Sequence, residues 1–538
     1  MRTWLSRIRA LFLERPWGTA LVLLLSAYAG TVLFDAWLSD DAYITFRVVD
    51  NVIHGYGPVY NIGERVQAFT NPLMMLIMSL LSSITREVYF TAIGLSVAAS
   101  FAAVAILALK VARSRTLAVV AMTVLVFSAS FVSYSTSGLE NCLIYLLCAL
   151  FFMVFFRAER HSARSLFLLT LLFALSLVNR MDTALLLAPA LGFAYWRNDS
   201  VSWGRMLGTA TLGMLPFVAW EAFAVAYYGF PFPNTAYAKL STGIPRIEYI
   251  VRGLTYYKMS FWQDPLLVAG IFAGIGAVLW MRRARTVVPL LGVLLYLAYL
   301  VEIGGDFMRG RMLTAPLFVV MLLVVAMTPE EWEARRIAPD RLVMAALTLL
   351  LVMNVGGLFY EGMSWNSYNP YGLLDDKRIY YQSTNLPLNL RLHPLERSER
   401  VLAGLAYKEA GTSPIVWPGI GLVGYYAGRD IHVVDPLALT DALLARLPAL
   451  ENPEWRVGHI WRYVPDGYLE TIASGRNVIA DPDLATYYDK LSVVIKGPLW
   501  SAERWREIVA LNRGEYDNLV DRDYYRFEVD EQYDPDSF

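Results

Sequence analysis

Long runs of apolar residues alternate with short polar segments over the first two thirds of the chain. Eleven runs approach the roughly 20 residues that an α-helix needs to cross a bilayer, although several are short and need support from their flanks. They lie at about residues 17–37, 88–109, 116–132, 139–156, 164–178, 181–196, 206–227, 264–281, 286–303, 311–327 and 341–358. The pattern predicts a polytopic α-helical membrane protein with about 11 transmembrane helices.

A further apolar stretch, residues 71–84, is too short to be counted without a second criterion. The positive-inside rule places basic clusters on the cytoplasmic side. They are Lys110, Arg113 and Arg115; Arg157, Arg160 and Arg164; Arg197 and Arg205; Arg282, Arg283 and Arg285; and Arg335 and Arg336. Eleven spans keep all of them on the side of the N-terminus, whereas a twelfth would put most of them outside. Residues 71–84 are therefore predicted to lie along the membrane surface, opened by Pro72, and the C-terminus is predicted to lie outside.

The last third of the chain has a different pattern. From about Gly362 the apolar runs stop, and charged residues, proline and tyrosine become frequent. We expect a transmembrane domain at 1–361, with outer loops at about 38–87 and 228–263, and a soluble extracytoplasmic (periplasmic) domain at 362–538. The soluble domain is predicted to be mixed α/β. Its strand-like runs are 413–417, 431–434 and 491–495, and its helical stretches are 397–410 and 502–511.

Composition supports the membrane assignment and excludes other classes. Of the 538 residues, 56% are hydrophobic and only 17% are charged, against about 25% charged in soluble domains. The net charge of −1 provides no basic field for nucleic acid. The two cysteines, Cys142 and Cys148, lie in one apolar run without metal-ligand spacing, so we interpret them as packing residues.

The polar residues of the membrane region collect at one face, the outer one. The first outer loop begins with Asp40 and Asp41, followed by Arg47 and His54. Adjacent carboxylates push their pKa values apart, so that one accepts a proton while the other holds or tunes it. The alternative is structural, because either aspartate is also suited to cap the following helix.

Three further outer-face segments carry charge. One contains Glu140 and a second contains Arg180 and Asp182. The third places Asp306, Arg309 and Arg311 directly after two glycines, Gly304 and Gly305. Charged groups at the ends of membrane spans indicate function unless they are paired. The structural alternatives are a helix-end carboxylate for Glu140, an ion pair of Arg180 with Asp182, and a helix break rather than an anion-binding turn at the glycines.

The second outer loop combines aromatic residues with cations, among them Lys239. Two interpretations remain open. The segment is either an aromatic belt at the membrane surface or a groove for a lipid-linked substrate with Lys239 at its phosphate.

Several motifs in this order resemble a known family. They are Asp40-Asp41-Ala42-Tyr43-Ile44, His54-Gly55-Tyr56-Gly57, Tyr60-Asn61-Ile62-Gly63-Glu64-Arg65, Phe69-Thr70-Asn71-Pro72, Ser137-Gly138-Leu139-Glu140, Gly304-Gly305-Asp306-Phe307-Met308-Arg309-Gly310-Arg311 and Asp435-Pro436-Leu437-Ala438-Leu439-Thr440-Asp441. The chain resembles the GT-C superfamily of membrane glycosyltransferases, which use polyprenyl-phosphate sugars. Within it, the motifs look most like the terminal β-(1→2)-arabinofuranosyltransferases of cell-wall arabinan and related pilin-modifying enzymes.

The resemblance implies an enzyme of cell-wall biogenesis in the inner (plasma) membrane of a bacterium, with a cytoplasmic N-terminus. It implies inverting transfer of D-arabinofuranose from a polyprenyl-phosphate donor to a hydroxyl of an envelope glycan or glycoprotein, on the outer face of the bilayer. It also implies Asp40 as the general base, with the adjacent Asp41 as the alternative.

The remaining polar residues fit such a reaction. A lipid phosphate is a good leaving group, so a base and fixed positive charge are the main requirements. Donor phosphate and sugar contacts are predicted for Arg47, His54, Glu140, Arg180, Asp182, Lys239, Asp306, Arg309 and Arg311. A divalent cation (Mg, Mn or Ca) held by Asp40, Asp41, Glu140 or Asp306 suits the oxygen ligands, but the spacing does not require one.

Three competing functions remain. A transferase of another polyprenyl-phosphate sugar, such as mannose or aminoarabinose, to protein or lipid A fits the same residues. A transporter of lipid-linked sugars predicts polar residues near the midplane of the spans, where this chain is almost wholly apolar. A cell-wall-binding protein that is merely anchored needs one span rather than eleven.

Overall fold

The structure is a computed structural model that describes residues 16–157, 159–334, 376–452 and 455–528. The predicted eleventh span at 341–358, the cluster of Arg335 and Arg336, and the predicted domain boundary at 361/362 lie outside the described residues.

The chain is helical over the described residues 16–157 and 159–334. The helices are α1 Pro16–Phe34, α2 Asp40–Ile53, α3 Pro72–Thr85, α4 Tyr89–Ile106, α5 Arg115–Phe127, α6 Ala129–Ser133, α7 Asn141–Arg157, α8 Ala163–Asn179, α9 Thr183–Trp196, α10 Trp203–Tyr228, α11 Asn234–Leu240, α12 Arg246–Gln263, α13 Pro265–Met281, α14 Ala284–Glu302, α15 Thr314–Val325 and α16 Pro329–Ala334. Each of the ten predicted spans in this part coincides with an apolar helix.

Length separates these helices into two groups. In the described part of the chain, four helices are long and apolar enough to cross a membrane, namely α1, α4 with its π-helical extension Leu107–Val111, α10 and α14. Six apolar helices are shorter, and the pair α12–α13 would add a fifth span if it is counted as one bent span. The multi-pass apolar architecture is therefore present, while the number of eleven crossings stays a prediction.

The predicted surface segment 71–84 is a helix, α3. Pro72 occupies its first turn, where the missing N–H costs no hydrogen bond. Leu76, Leu80 and Ile84 are exposed at four-residue spacing and form one apolar stripe. The helix is thus present with one apolar face, while its position along the membrane surface stays a prediction.

The C-terminal region, residues 376–528, is mostly helical. Its elements are α17 Asp376–Thr384, α18 Leu386–Leu392, α19 Glu399–Ala410, β1 Ile415–Val416, α20 Leu422–Ala427, β2 Val433–Val434, α21 Tyr468–Ser474, α22 Pro482–Lys496 and α23 Ala502–Asn512. The two strands pair in parallel, Ile415 with Val433 and Val416 with Val434. They fall within two of the predicted strand-like runs, 413–417 and 431–434.

The third predicted strand, 491–495, is wrong, because these residues end helix α22. The helix begins at an Asp481 cap followed by Pro482. Its buried positions Leu484, Tyr488, Leu491 and Ile495 recur at three- and four-residue intervals. The helical period extends over the whole segment, whereas the apolar run alone resembles a strand.

The C-terminal region packs directly on the outer loops. One hydrophobic cluster joins Phe46 and Tyr60 of the first loop to Ile420 and Val433. A second cluster joins Phe230 and Ala238 of the second loop to residues of the C-terminal region that include Leu443 and Tyr487. The outer loops and the C-terminal region therefore share hydrophobic cores.

Candidate active site

Helix α2 carries the two aspartates, and its cap is the preceding residue. The Ser39 side chain accepts a hydrogen bond from the Ala42 N–H at 3.3 Å. The Ser39 N–H donates to the Ser137 carbonyl at 2.9 Å, which fixes the helix start against the loop before α7. The structural alternative, in which Asp40 or Asp41 caps the helix, is therefore wrong, because Ser39 does so.

Asp40 is buried and bound to the C-terminal region. Its Oδ1 accepts from the Leu422 N–H at 2.9 Å and its Oδ2 from the Gly421 N–H at 3.2 Å. An Arg400 guanidinium nitrogen lies 3.8 Å from Oδ1. Burial raises the pKa of Asp40, while Arg400 and the two amides oppose the rise. The carboxylate is thus committed to contacts that hold two parts of the chain together.

Asp41 has different surroundings. Its side chain is half-buried, and within the described residues its carboxylate has no hydrogen-bonding partner. Burial raises the pKa of Asp41 to about 6, and the charges of Asp40 and Asp306 also raise it. Arg311 and Lys239 oppose this rise. Asp41 is therefore an accessible carboxylate that titrates near neutrality.

Lys239 lies on the short helix α11 and belongs to the same group of charges. Lys239 is exposed, yet the surrounding protein desolvates its ammonium group and thereby lowers its pKa. Asp306 and Asp41 raise that pKa, whereas Arg180 and Arg311 lower it. Its Nζ has no hydrogen-bonding partner in the part of the chain that the structure describes. Lys239 is thus an accessible cation near Asp41.

Glu140 forms the buried base of the site. Its Oε1 lies 2.6 Å from an Arg180 nitrogen and 2.9 Å from an Arg311 nitrogen. Its Oε2 accepts from the Asn71 side-chain amide at 3.2 Å. Arg180 Nε also lies 2.9 Å from each oxygen of Asp182. The ion pair of Arg180 with Asp182 is thus present, and Glu140 joins it to Arg311.

The glycine pair before Asp306 ends a helix. The Gly305 N–H donates to the Leu300 carbonyl at 2.7 Å and the Gly304 N–H to the Val301 carbonyl at 3.3 Å. Both glycines have positive φ, +82° and +77° in chain order, as in a Schellman motif. Because both N–H groups are used by the helix, the helix break is correct and the anion-binding turn is wrong.

The helix break brings Asp306 next to Arg311. Asp306 Oδ2 lies 3.7 Å from an Arg311 guanidinium nitrogen, which makes an ion pair without a hydrogen bond. Arg311 Nε is also buried without a hydrogen-bonding partner among the described residues. The predicted residues Asp41, Glu140, Arg180, Asp182, Lys239, Asp306 and Arg311 therefore form one polar cluster, which we call the outer cluster.

Arg47 does not belong to the outer cluster, and its predicted phosphate contact is corrected. Its guanidinium is fully buried and donates to the carbonyls of Tyr60 at 2.9 Å and Ile431 at 2.6 Å, and to that of Gly424. It also stacks on the Tyr60 ring, 4.5 Å from the centroid. These contacts fasten the first loop to the C-terminal region and use the donors that a phosphate would need.

His54 and Arg309 have partners outside the outer cluster. His54 Nδ1 lies 3.2 Å from an Asp50 carboxylate oxygen on the same helix. Arg309 donates to the Gln263 carbonyl at 3.0 Å. It lines a cavity of about 350 Å³ whose other described lining residues are Ala129, Ser130, Ser133, Tyr134, Lys377, Tyr381 and Gln382. No member of the outer cluster is among these described lining residues.

The second outer loop fits neither of its two interpretations alone. Tyr256 is fully buried, and its hydroxyl accepts from the Met312 N–H at 3.1 Å. Phe261 and Trp262 are exposed, as in an aromatic belt. Within the loop, aromatic residues thus serve both the protein interior and the surface, while Lys239 belongs to the outer cluster.

The outer cluster does not present a set of metal ligands. Among the described residues, no three or more His, Cys, Asp or Glu side chains converge to hold a metal ion. The predicted divalent cation stays a prediction without geometric support.

Sequence reasoning missed residues that support the cluster from a distance. Asn234 and Arg462 are buried and bind backbone carbonyls far away in the sequence. Asn71 was recognised only as part of a motif, and it binds Glu140. The one available signal in the sequence was Arg462, which stands alone between apolar residues in the C-terminal region. Such an arginine indicates a buried guanidinium only once the surrounding fold is known.

Comparisons with known proteins agree with the predicted resemblance. No protein-family model matches the chain. A terminal β-(1→2)-arabinofuranosyltransferase of Mycobacterium tuberculosis is 24% identical over 572 residues, covering 87% of this chain and 88% of the relative. A protein of the same description from Corynebacterium glutamicum is 25% identical over 521 residues, covering 79% of this chain and 72% of the relative. The predicted resemblance to this group of enzymes is therefore confirmed.

A solved structure is also similar. It is the crystal structure of ArnT from Cupriavidus metallidurans bound to undecaprenyl phosphate, with a TM-score of 0.46 and 14% sequence identity. The likeness covers 80% of this chain and 88% of that one. It is too distant to assign a ligand or an activity.

Proposed function

We propose that this chain is an inverting glycosyltransferase that moves D-arabinofuranose from a polyprenyl-phosphate donor to a hydroxyl of an envelope glycan or glycoprotein. The two terminal β-(1→2)-arabinofuranosyltransferases that match most of its length support the reaction. The apolar helices support a membrane location, where a lipid-linked donor resides. We propose that transfer takes place on the outer face of a bacterial inner membrane.

The observation that carries this proposal is that an accessible carboxylate, Asp41, lies within the electrostatic influence of an accessible cation, Lys239. Asp41 has a pKa of about 6 and no hydrogen bond that must be broken within the described residues. A general base works best when its pKa lies near the working pH. We therefore assign the base to Asp41, and we assign to Asp40, which is bound by two amides, a structural role.

The reaction is a single displacement at the anomeric carbon. The acceptor oxygen forms a bond to this carbon while its proton passes to Asp41. The bond between the anomeric carbon and the phosphate oxygen breaks, and the electron pair leaves with the phosphate. The configuration at the anomeric carbon is inverted because one bond forms opposite to the one that breaks.

Positive charge is needed where the phosphate departs. Lys239 is the cation with an accessible and unpaired Nζ within the described cluster, and we assign the phosphate to it. Arg311 lies deeper and is shared with Glu140 and Asp306. Its buried Nε has no hydrogen-bonding partner among the described residues, which suits a second contact to the donor. Glu140 holds the arginines in place.

Transfer by the purified full chain in detergent tests the proposal. The substrates are synthetic polyprenyl-phosphate arabinofuranose and a short arabinan oligosaccharide, with polyprenyl-phosphate mannose as the matched donor. The account predicts a product heavier by one pentose, with an anomeric configuration opposite to that of the donor. Retention would contradict the single displacement. Transfer of mannose alone would contradict arabinofuranose as the donor sugar. Flipping of an unchanged donor in proteoliposomes, without transfer, would contradict the proposed glycosyltransferase activity.

A further inference from the structure

Lys239 depends on its surroundings for its position. It lies on α11, a helix of seven residues, Asn234–Leu240. Isolated helices of this length do not hold together in water, because nucleation costs more than so few hydrogen bonds return. Contacts from elsewhere in the chain must therefore fix the helix and the direction of its lysine.

The first of these contacts is at the start of the helix. The Asn234 side-chain amide donates to the carbonyls of Ala438 and Asp441, each at 2.9 Å, and of Leu439 at 3.2 Å. Its Oδ1 accepts from an Arg446 nitrogen at 3.2 Å. All four partners belong to the C-terminal region. The side chain is buried, so water offers no replacement for these bonds.

The second contact is one residue before the lysine. Arg462 is fully buried, and its Nη2 donates to the Ala238 carbonyl at 2.5 Å. Its other nitrogens donate to the Leu447 carbonyl at 2.8 Å and the Ile460 carbonyl at 2.9 Å. The guanidinium thus ties the backbone next to Lys239 to two points of the C-terminal region. A planar group with several fixed donors is suited to this task, and an ammonium is not.

The carbonyls that accept hydrogen bonds from the Asn234 side chain are themselves held in place. Asp435 is fully buried and accepts from the N–H groups of Leu437 at 2.9 Å, Leu439 at 2.6 Å and Thr440 at 3.2 Å. Within this turn, Ala438 has a φ of +63°. The turn at 435–441 is therefore a defined conformation that directs several carbonyls toward the start of α11.

We propose that the turn at 435–441, acting through Asn234, and Arg462 hold the helix that carries Lys239 over the outer cluster, so that the C-terminal region positions the phosphate-binding cation. The inference rests on the proposed function insofar as Lys239 meets the donor phosphate. It gives the turn, the one recognised motif of the C-terminal region, a role at the site. Asn234 and Arg462 are positioning residues, since neither is assigned a contact with the substrate.

The test combines one variant with a matched control. Arg462→Lys keeps the charge but loses the fork of donors. Arg504→Lys is the control, because Arg504 is also fully buried and donates to carbonyls of the C-terminal region and of α10, at Ala226 and Tyr227, each at 2.8 Å. Among the described residues, no hydrogen bond of Arg504 reaches α11. The two variants therefore remove similar interactions, but only Arg462 bonds the helix that carries Lys239.

Mobility at residue 239 gives a readout that needs no activity. A spin label is attached to Lys239→Cys in the full chain, where the two native cysteines are buried. The account predicts that Arg462→Lys sharpens the spectrum and that Arg504→Lys does not. An unchanged spectrum in folded Arg462→Lys, or equal changes in both variants, would overturn the proposal even if the protein transfers no sugar.

Kinetics give the second readout, provided that the wild type transfers a sugar. Arg462→Lys is expected to lower kcat/KM for the donor by about 10- to 100-fold, since misplacement by about 1 Å has effects of this size. In a Lys239→Met background it should have little further effect, because the two changes act on one interaction. An equal loss in both backgrounds would show a general structural defect and overturn the positioning role.

Discussion

Glu140 Oε1 lies 2.9 Å from an Arg311 guanidinium nitrogen, and the same oxygen lies 2.6 Å from Arg180. The Glu140 side chain is only 1% exposed and that of Arg311 10%. One carboxylate thus separates two cations in a place with little water. Removing its charge leaves two guanidinium groups that repel each other, with only Asp182 beside Arg180 and the more distant Asp306 beside Arg311 to compensate.

Glu140→Gln is therefore expected to destabilise the fold by about 3–5 kcal/mol, the usual result of breaking a buried ion pair. Thermal unfolding in detergent measures the effect. Glu302→Gln is the matched control, because Glu302 and its partner Arg246 are 45% and 76% exposed, and exposed pairs contribute little. Equal midpoints for the two variants would show that Glu140 does not hold the site together.

Gly305→Ala tests the helix end that positions Asp306. Gly305 has a φ of +77°, and an added Cβ would come within 2.5 Å of the Tyr256 Cβ. We expect a loss of more than about 1 kcal/mol in stability, together with reduced transfer. Gly94→Ala is the control, because Gly94 is an exposed position of α4 where an added Cβ meets nothing within 4 Å. A Gly305→Ala protein as stable as Gly94→Ala would contradict the requirement for glycine at this helix end.

The pH dependence of transfer follows from the pKa of about 6 for Asp41. The base must be deprotonated, so kcat/KM should rise with pH through about 6 and then level off. Lys239 lowers this pKa and Asp306 raises it. Lys239→Met should therefore move the acid limb to higher pH, besides slowing transfer, and Asp306→Asn should move it to lower pH. If the acid limb of the pH profile of kcat/KM has the same midpoint in both variants as in the wild type, Asp41 is excluded as the titrating group.

Local patterns predicted the helices of the membrane region. Each described apolar run became a helix, because a run of this kind buries its backbone only as a helix in lipid. The start of the helix at Pro72 followed from proline chemistry for the same local reason, while its placement along the membrane surface stays a prediction. The segment 491–495 was misassigned because a five-residue window is too short to distinguish the helical period from an apolar strand.

The sequence was sufficient to predict which residues form the site, but not which of them are catalytic and which are structural. Sequence reasoning gathered Asp41, Glu140 and Arg311 because it predicted their charges at the same ends of the spans, and it left Lys239 open between an aromatic belt and a phosphate contact. It did not separate Asp40 from Asp41, because the amide that binds Asp40 belongs to Leu422, 382 positions away. Arg47 was misassigned for the same reason, since its carbonyl partners at 424 and 431 are equally remote.

The assignment of the base to Asp41 is tested most directly by comparing Asp41→Asn with Asp40→Asn in single-turnover transfer, with thermal unfolding of both proteins as the control. The account predicts that Asp41→Asn lowers the rate by about 10²- to 10⁴-fold, as expected for loss of a general base, and leaves the unfolding midpoint unchanged. Asp40→Asn should lower the unfolding midpoint, because an amide accepts poorly from two N–H groups. It should slow transfer less than Asp41→Asn does. Normal turnover by Asp41→Asn, with none by folded Asp40→Asn, would contradict the account.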